Sequence, residues 1–284
     1  MGLIFFAALC SVVVSILLRI AREKGYSPLE MITWNYMAAS ILCFLWFKPD
    51  IAHISVIHTP WLLIVILGIL LPSVFLFLAK SLQNAGVLKT EIAQRLSVIL
   101  SLSAAYFIFN ESFNEYKWLG IGLGLIAVFF ILMSHRSTDT SFKQGMGYLA
   151  LVWLGYALID ILLKYTTGLG LQFAVALNLV FIAAFILSLG YITLKYKSLG
   201  QSKNIIAGLF LGVLNFANIA LYVKAHMILK DSPAVVFAGM NILVVVFGVL
   251  SGVIFFKEKL QLSSILGLVL GLASVACLAY SMLV

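Results

Sequence analysis

Apolar residues fill this chain in runs of about twenty, the length that crosses the hydrocarbon core of a bilayer, and short polar clusters close each run. The pattern predicts ten helices. The first runs from Gly2 to Ile20 and gives way to Arg22-Glu23-Lys24 and a turn from Gly25 to Pro28. The second, Glu30 to Phe47, stops at Lys48-Pro49-Asp50. The third runs from Pro60 to Lys80 with Pro72 inside it, the fourth from Lys89 to Phe109, and the fifth from Trp118 to Met133. The longest polar stretch, His135 to Gln144, divides the chain. Beyond it follow Gly145 to Lys164, Leu171 to Ile192 and Asn204 to Met227. A ninth helix is entered through Lys230-Asp231-Ser232-Pro233 and ends near Phe256, and a tenth runs from Leu262 to the C-terminus.

The two sides of the polar divider repeat each other. Phe109-Asn110-Glu111 precedes Leu119-Gly120-x-x-x-Gly124, and Phe256-Lys257-Glu258 precedes Leu266-Gly267-x-x-x-Gly271. Glu111 and Glu258 stand 147 residues apart, and the same offset relates Gly120 to Gly267, Gly124 to Gly271 and Ser134 to Ser281. Two motifs in one order, each closing its half, indicate an internal duplication. Residues 1–134 and 145–284 are then two five-helix repeats joined by 135–144. An odd number of crossings inserts the second half from the opposite face, so the repeat is inverted, a layout used by many secondary transporters.

Composition agrees with the pattern. The chain is 63% hydrophobic and 10% charged, against about 25% charged in a typical soluble domain. The fold class is therefore an all-α integral membrane protein of ten transmembrane helices in a 5+5 inverted repeat. Gly2 to Leu18 lacks a basic leader and a small-residue cleavage site, so it is expected to stay as a helix. The net charge of +8 belongs to loops and helix ends beside a membrane surface, not to a nucleic-acid site. Twelve Lys and Arg fall in connections on the side away from the termini, five on the termini side, and Arg95 lies inside an apolar run. Loop charge thus puts the termini outside the cell. Cys10, Cys43 and Cys277 sit in apolar runs, without metal-site spacing or a disulfide pattern, and read as packing residues.

Polar groups within the runs are the candidates for chemistry, because an ionisable side chain at membrane depth is costly and usually faces a polar interior. Helix four carries Glu91, Gln94 and Arg95. Glu91 and Arg95 are spaced i, i+4 and could pair with each other. Asn241 occupies in helix nine the position that Gln94 has in helix four. Trp153, Tyr156 and Asp160 share a face of helix six, with Lys164 one turn beyond Asp160. Asn215, Asn218 and Tyr222 share a face of helix eight, either as interhelical hydrogen-bonding groups or as ligand contacts. Ser11 and Ser15 are weaker candidates, since hydroxyls in such helices usually bond their own backbone. Glu111 and Glu258 read as caps of the turns into helices five and ten, or else as a gate. The four repeat glycines read as close backbone contacts of those helices. His53, His58 and His135 are expected in solvated loops, and His226 at a surface position.

Five plus five helices with a Phe-x-Glu break before the fifth and tenth resemble the drug/metabolite transporter superfamily, specifically its EamA-type transporters. The resemblance covers nearly the whole chain. Where that family often has a proline in helices four and nine, this chain has Val98 to Ser101 and Val245. The resemblance implies a metabolite carrier with a cavity lined by helices one, three, four, six, eight and nine. It also implies a bacterial inner (cytoplasmic) membrane location and cytoplasmic termini, which opposes the loop-charge reading.

The expectation is a secondary active transporter, an exporter or exchanger, of a small organic metabolite such as an amino acid. It works by alternating access, as a monomer or homodimer in the lipid bilayer. Gln94, Arg95, Trp153, Tyr156, Asn215, Asn218, Tyr222 and Asn241 are the expected substrate contacts. Glu91 and Asp160 are the expected coupling groups for a proton or ion. No catalytic residue, metal, cofactor or nucleic acid is expected. The chain has no Gly-rich phosphate loop that would link it directly to ATP. A channel or scaffold is one rival. An intramembrane enzyme is the other, although Glu91 and Asp160 are the only acids well inside the runs.

Overall fold

The computed structural model describes residues 2–50, 52, 54–109, 113–132, 140–229, 233–259 and 261–283. Among the described residues there are ten α-helices and no strand. They are α1 Gly2–Glu23, α2 Pro28–Phe47, α3 Trp61–Asn84, α4 Val87–Phe109, α5 Glu115–Leu132, α6 Thr140–Gly168, α7 Phe173–Tyr196, α8 Ser202–Ile228, α9 Pro233–Ile254 and α10 Leu262–Tyr280. Eight are long and apolar enough to cross a membrane. The others are α2, which carries Glu30, Asn35 and Tyr36, and the short α5.

Several helices outrun their apolar cores, because charge stops a membrane span but not a helix. α1 continues to Glu23, where Arg19 and Glu23 approach to 3.7 Å one turn apart. The expected linker is already helical from Thr140, and α6 runs on to Gly168. α2 begins at Pro28, whose fixed φ suits the first turn, behind Ser27 as N-cap. Glu111, Ser134, His53 and His135 lie outside the described residues.

The dominant contacts run between the halves. α1 packs on α8 and α9, and α6 packs on α3 and α4. α2 packs on α7 and α8, and α7 on α2 and α3. α5 lies along α10, and α4 meets α9. This pattern is unchanged when every helix is exchanged for the one five places away, as a two-fold relation requires. Large apolar side chains such as Phe6, Leu45, Phe107 and Leu194 point outward, where lipid replaces water as solvent.

Small residues set the closest approaches. The α5–α10 contact uses Gly120 and Gly267: a Cβ on Gly120 would meet Leu278 Cγ at 2.8 Å, and one on Gly267 would meet Ile131 Cγ1 at 2.5 Å. Ser274 Oγ donates across the same contact to Gly120 O at 2.6 Å. Gly124 is pressed against Ile99 of α4, whereas Gly271 has its nearest neighbour, Leu96, 3.6 Å from such a Cβ. So Gly271 is not the close contact that the repeat suggested. A third Gly-x-x-x-Gly, Gly208 and Gly212 of α8, brings α8 onto the α2 backbone. Cβ atoms there would meet Met31 O and Asn35 O, each at 2.5 Å.

Candidate functional site

α4, α6, α8 and α9 enclose a cavity of about 640 Å³. Gln94, Arg95, Ser97 and Val98 line it from α4, and Tyr156 and Asp160 from α6. Asn218, Tyr222 and His226 come from α8, Phe237, Met240 and Asn241 from α9, and Phe173 from the first turn of α7. Phe173 and His226 place its mouth where α7 begins and α8 ends. A more apolar recess of about 280 Å³ adjoins it, sharing Tyr156, Asp160, Phe173 and Ile219 and reaching Tyr36 of α2 and Val74 of α3.

Charge of both signs faces this space. Arg95 donates from Nη2 to Ser11 Oγ of α1 at 2.7 Å, while its Nε is buried without a hydrogen-bond partner. On α6, Asp160 Oδ2 accepts from Ser101 Oγ at 3.2 Å. Three amides complete the polar wall. Asn241 donates to Phe237 O of its own helix at 2.8 Å. Asn218 Oδ1 is buried without a partner. Gln94 and Asn241, the repeat-related pair, face the same cavity. Tyr222 and His226 stack edge to face with centroids 4.7 Å apart.

The remaining candidates are placed otherwise. Trp153 does not reach the cavity. Its Nε1 donates to Leu96 O at 3.1 Å, because a buried indole N–H needs a partner and α4 closes over this turn of α6. Asn215 donates from Nδ2 to Asn35 Oδ1 of α2 at 3.3 Å and lines only the side recess. Glu91 is 0% exposed and its carboxyl oxygens have no hydrogen-bond partner. Among the described residues no ion pair joins Glu91 to Arg95, the pairing that their i, i+4 spacing allowed; the guanidinium bonds Ser11 instead. His226, expected at a surface position, is partly buried and lines the cavity. The i, i+4 stripe Asn218, Tyr222, His226 was the available signal for it. Helices one and three do not line the main cavity, although α1 contributes Ser11 behind Arg95.

At the opposite end a contact crosses the repeat. Glu258 accepts from the backbone N–H of Val87 at 2.7 Å and of Leu88 at 3.1 Å, so it caps α4. It does not cap its own α10, as the sequence suggested. The partially positive start of α4 attracts the carboxylate, and Arg19 of α1 forms an ion pair with it. Phe256 lies under the Arg19 guanidinium at 3.9 Å, and Lys257 takes a left-handed turn with φ 51°. The Phe-x-Glu motif thus supplies a cation–π face, a turn and a cap. Gly86, at φ +94°, leaves room for the carboxylate: a Cβ there would sit 2.8 Å from Glu258 Oε1. Beside this contact lies a pocket of about 360 Å³ lined by Gln83, Lys89, Met146, Glu258 and Lys259.

The model of the EamA-like transporter family matches residues 1–133, the first half of the repeat. A protein of Haemophilus influenzae, described as an uncharacterized protein, is 37% identical over 286 residues, covering 98% of this chain and 97% of its own.

Proposed function

We propose that this chain, which belongs to the EamA-like transporter family, is a secondary active transporter of a small zwitterionic metabolite of the amino-acid class. It is a multi-pass membrane protein, and the bacterial cytoplasmic membrane is the proposed location. One observation carries the reading: Arg95 and Asp160 face a single cavity together with the amides of Gln94, Asn218 and Asn241. A guanidinium suits a substrate carboxylate, a carboxylate suits a substrate ammonium, and amides orient both. Tyr156, Tyr222 and Phe237 offer apolar walls to a side chain.

The cavity reaches the start of α7 and the end of α8, and the Arg19–Glu258 ion pair lies at the opposite end of α4. That asymmetry favours alternating access over a channel, which needs a continuous path. Net flux would follow the sum of the gradients. The test is counterflow in proteoliposomes preloaded with unlabelled neutral L-amino acids, with labelled amino acids outside. Labelled uptake above protein-free vesicles supports the proposal, and its absence across the series rejects the substrate class.

A further inference from the structure

Among the described residues, Glu91 is the one charged-type side chain that is fully buried. It sits in a built niche. Gly248 of α9 makes room for it, since a Cβ there would lie 2.9 Å from Glu91 Cγ. Ser15 of α1 is the hydroxyl beside its carboxyl group, although neither carboxyl oxygen has a partner at hydrogen-bond distance. Arg95 on its own helix and Tyr156 of α6 are the titratable groups that face it, and Asp160 faces Arg95 in turn. Among the described residues, the other neighbours of α4 present nothing ionisable here: α5 offers Gly124, α10 offers Gly271, and α3 offers Ser81 to Thr90. A buried ionised carboxylate with no donor is costly, and such a group relieves the cost by taking a proton.

Its position along α4 gives that proton two routes. With a rise of about 1.5 Å per residue, Glu91 lies about 6 Å along the helix axis from Arg95 at the cavity floor and about 4.5–6 Å from the capped residues Val87 and Leu88. It therefore stands between the cavity and the Arg19–Glu258 contact. It is held by α1 and α9, one helix from each half, so relative motion of the halves changes its surroundings.

We propose that Glu91 is the proton-carrying carboxyl that couples substrate movement to the proton gradient, an assignment that rests on the transporter reading above. Hydronium from the cavity gives its proton to a Glu91 carboxylate oxygen, forming one O–H bond and leaving water. When the Arg19–Glu258 contact opens, the same O–H bond breaks towards water on the other side. Ionised Glu91 and a substrate carboxylate compete for the Arg95 guanidinium. Substrate and proton therefore bind together, and the coupling is co-transport.

Two measurements on the full chain test this. In infrared spectra of the purified protein, a protonated-carboxyl C=O band is expected in the wild type and in Asp160→Asn, and not in Glu91→Gln. If Glu91→Gln does not fold, Glu91→Asp must shift the band. No such band in the wild type, or a band unchanged by the Glu91 substitutions, overturns the assignment. In proteoliposomes, with labelled neutral L-amino acids as probe, an acidic outer phase should raise wild-type uptake about tenfold or more, the scale of a coupling between two sites. Glu91→Gln should keep counterflow and lose that response; a retained response overturns the proposal. If the wild type moves none of the probe, the substrate class has failed, and the infrared result still decides Glu91.

Discussion

Arg19 and Glu258 are 239 positions apart in the chain and form an ion pair at the N-terminus of α4, a helix that contains neither of them. One carboxylate thus ties α1, α4 and the α9–α10 turn together at the end of the bundle opposite the cavity mouth.

Replacing Glu258 by Gln removes the charge from that junction and leaves one acceptor oxygen for two backbone donors. The expected loss is about 2 kcal/mol, in the range of hydrogen bonds to charged groups, read as a lower detergent melting temperature. A cysteine placed at Gln83 or Met146, both of which line the adjacent pocket, should react faster with a polar maleimide in the Glu258→Gln background. Unchanged reactivity would show that the junction does not close this end.

Gly124 and Gly271 are equivalent in the repeat but differ in the fold. Gly124→Ala forces Ile99 aside and brings a methyl within 2.8 Å of Ser274 Oγ, which should cost about 1–3 kcal/mol as overpacking. Gly271→Ala meets only ordinary contacts and should be neutral or gain up to about 1 kcal/mol of helix propensity. Thermal unfolding of the two variants side by side checks the order.

Trp153 and Tyr156 are neighbours on α6 with different surroundings. Trp153→Phe deletes the indole hydrogen bond to Leu96 O and should lower stability by about 1 kcal/mol, with amino-acid counterflow near that of the wild type. Tyr156→Phe keeps the ring and removes a hydroxyl from the cavity side of the helix, so counterflow should fall while the melting temperature stays close to the wild-type value. The reverse result would show that this face of α6 is misassigned.

Arg95→Gln should leave a folded protein, because among the described residues the guanidinium is hydrogen-bonded to Ser11 alone and its loss opens space into a cavity. Loss of one charge-assisted contact, about 1.5–3 kcal/mol, predicts amino-acid binding roughly 10- to 100-fold weaker. Isothermal titration with neutral L-amino acids measures it. Unaltered binding by the well-folded variant would remove Arg95 from the substrate site.

Ten helices, eight of them long and apolar enough to cross a membrane, were legible in the sequence because hydrocarbon thickness sets the length of an apolar run and the cost of charge forces polar groups to its ends. The same cost made Gln94, Arg95, Tyr156, Asp160, Asn218, Tyr222 and Asn241 recognisable as interior groups, and the structure gathers them around one cavity. Which interior surface a residue faces depends on how each helix is rotated against its neighbours. A single chain's periodicity does not contain that rotation. Trp153 and Asn215 therefore turn to α4 and α2. Gly208 and Gly212 form the α8–α2 contact, and Glu258 finds Arg19 and the start of α4 across the whole length of the chain. Those pairings are set by packing between the halves, where shape and unsatisfied backbone groups select partners that lie far apart in the sequence.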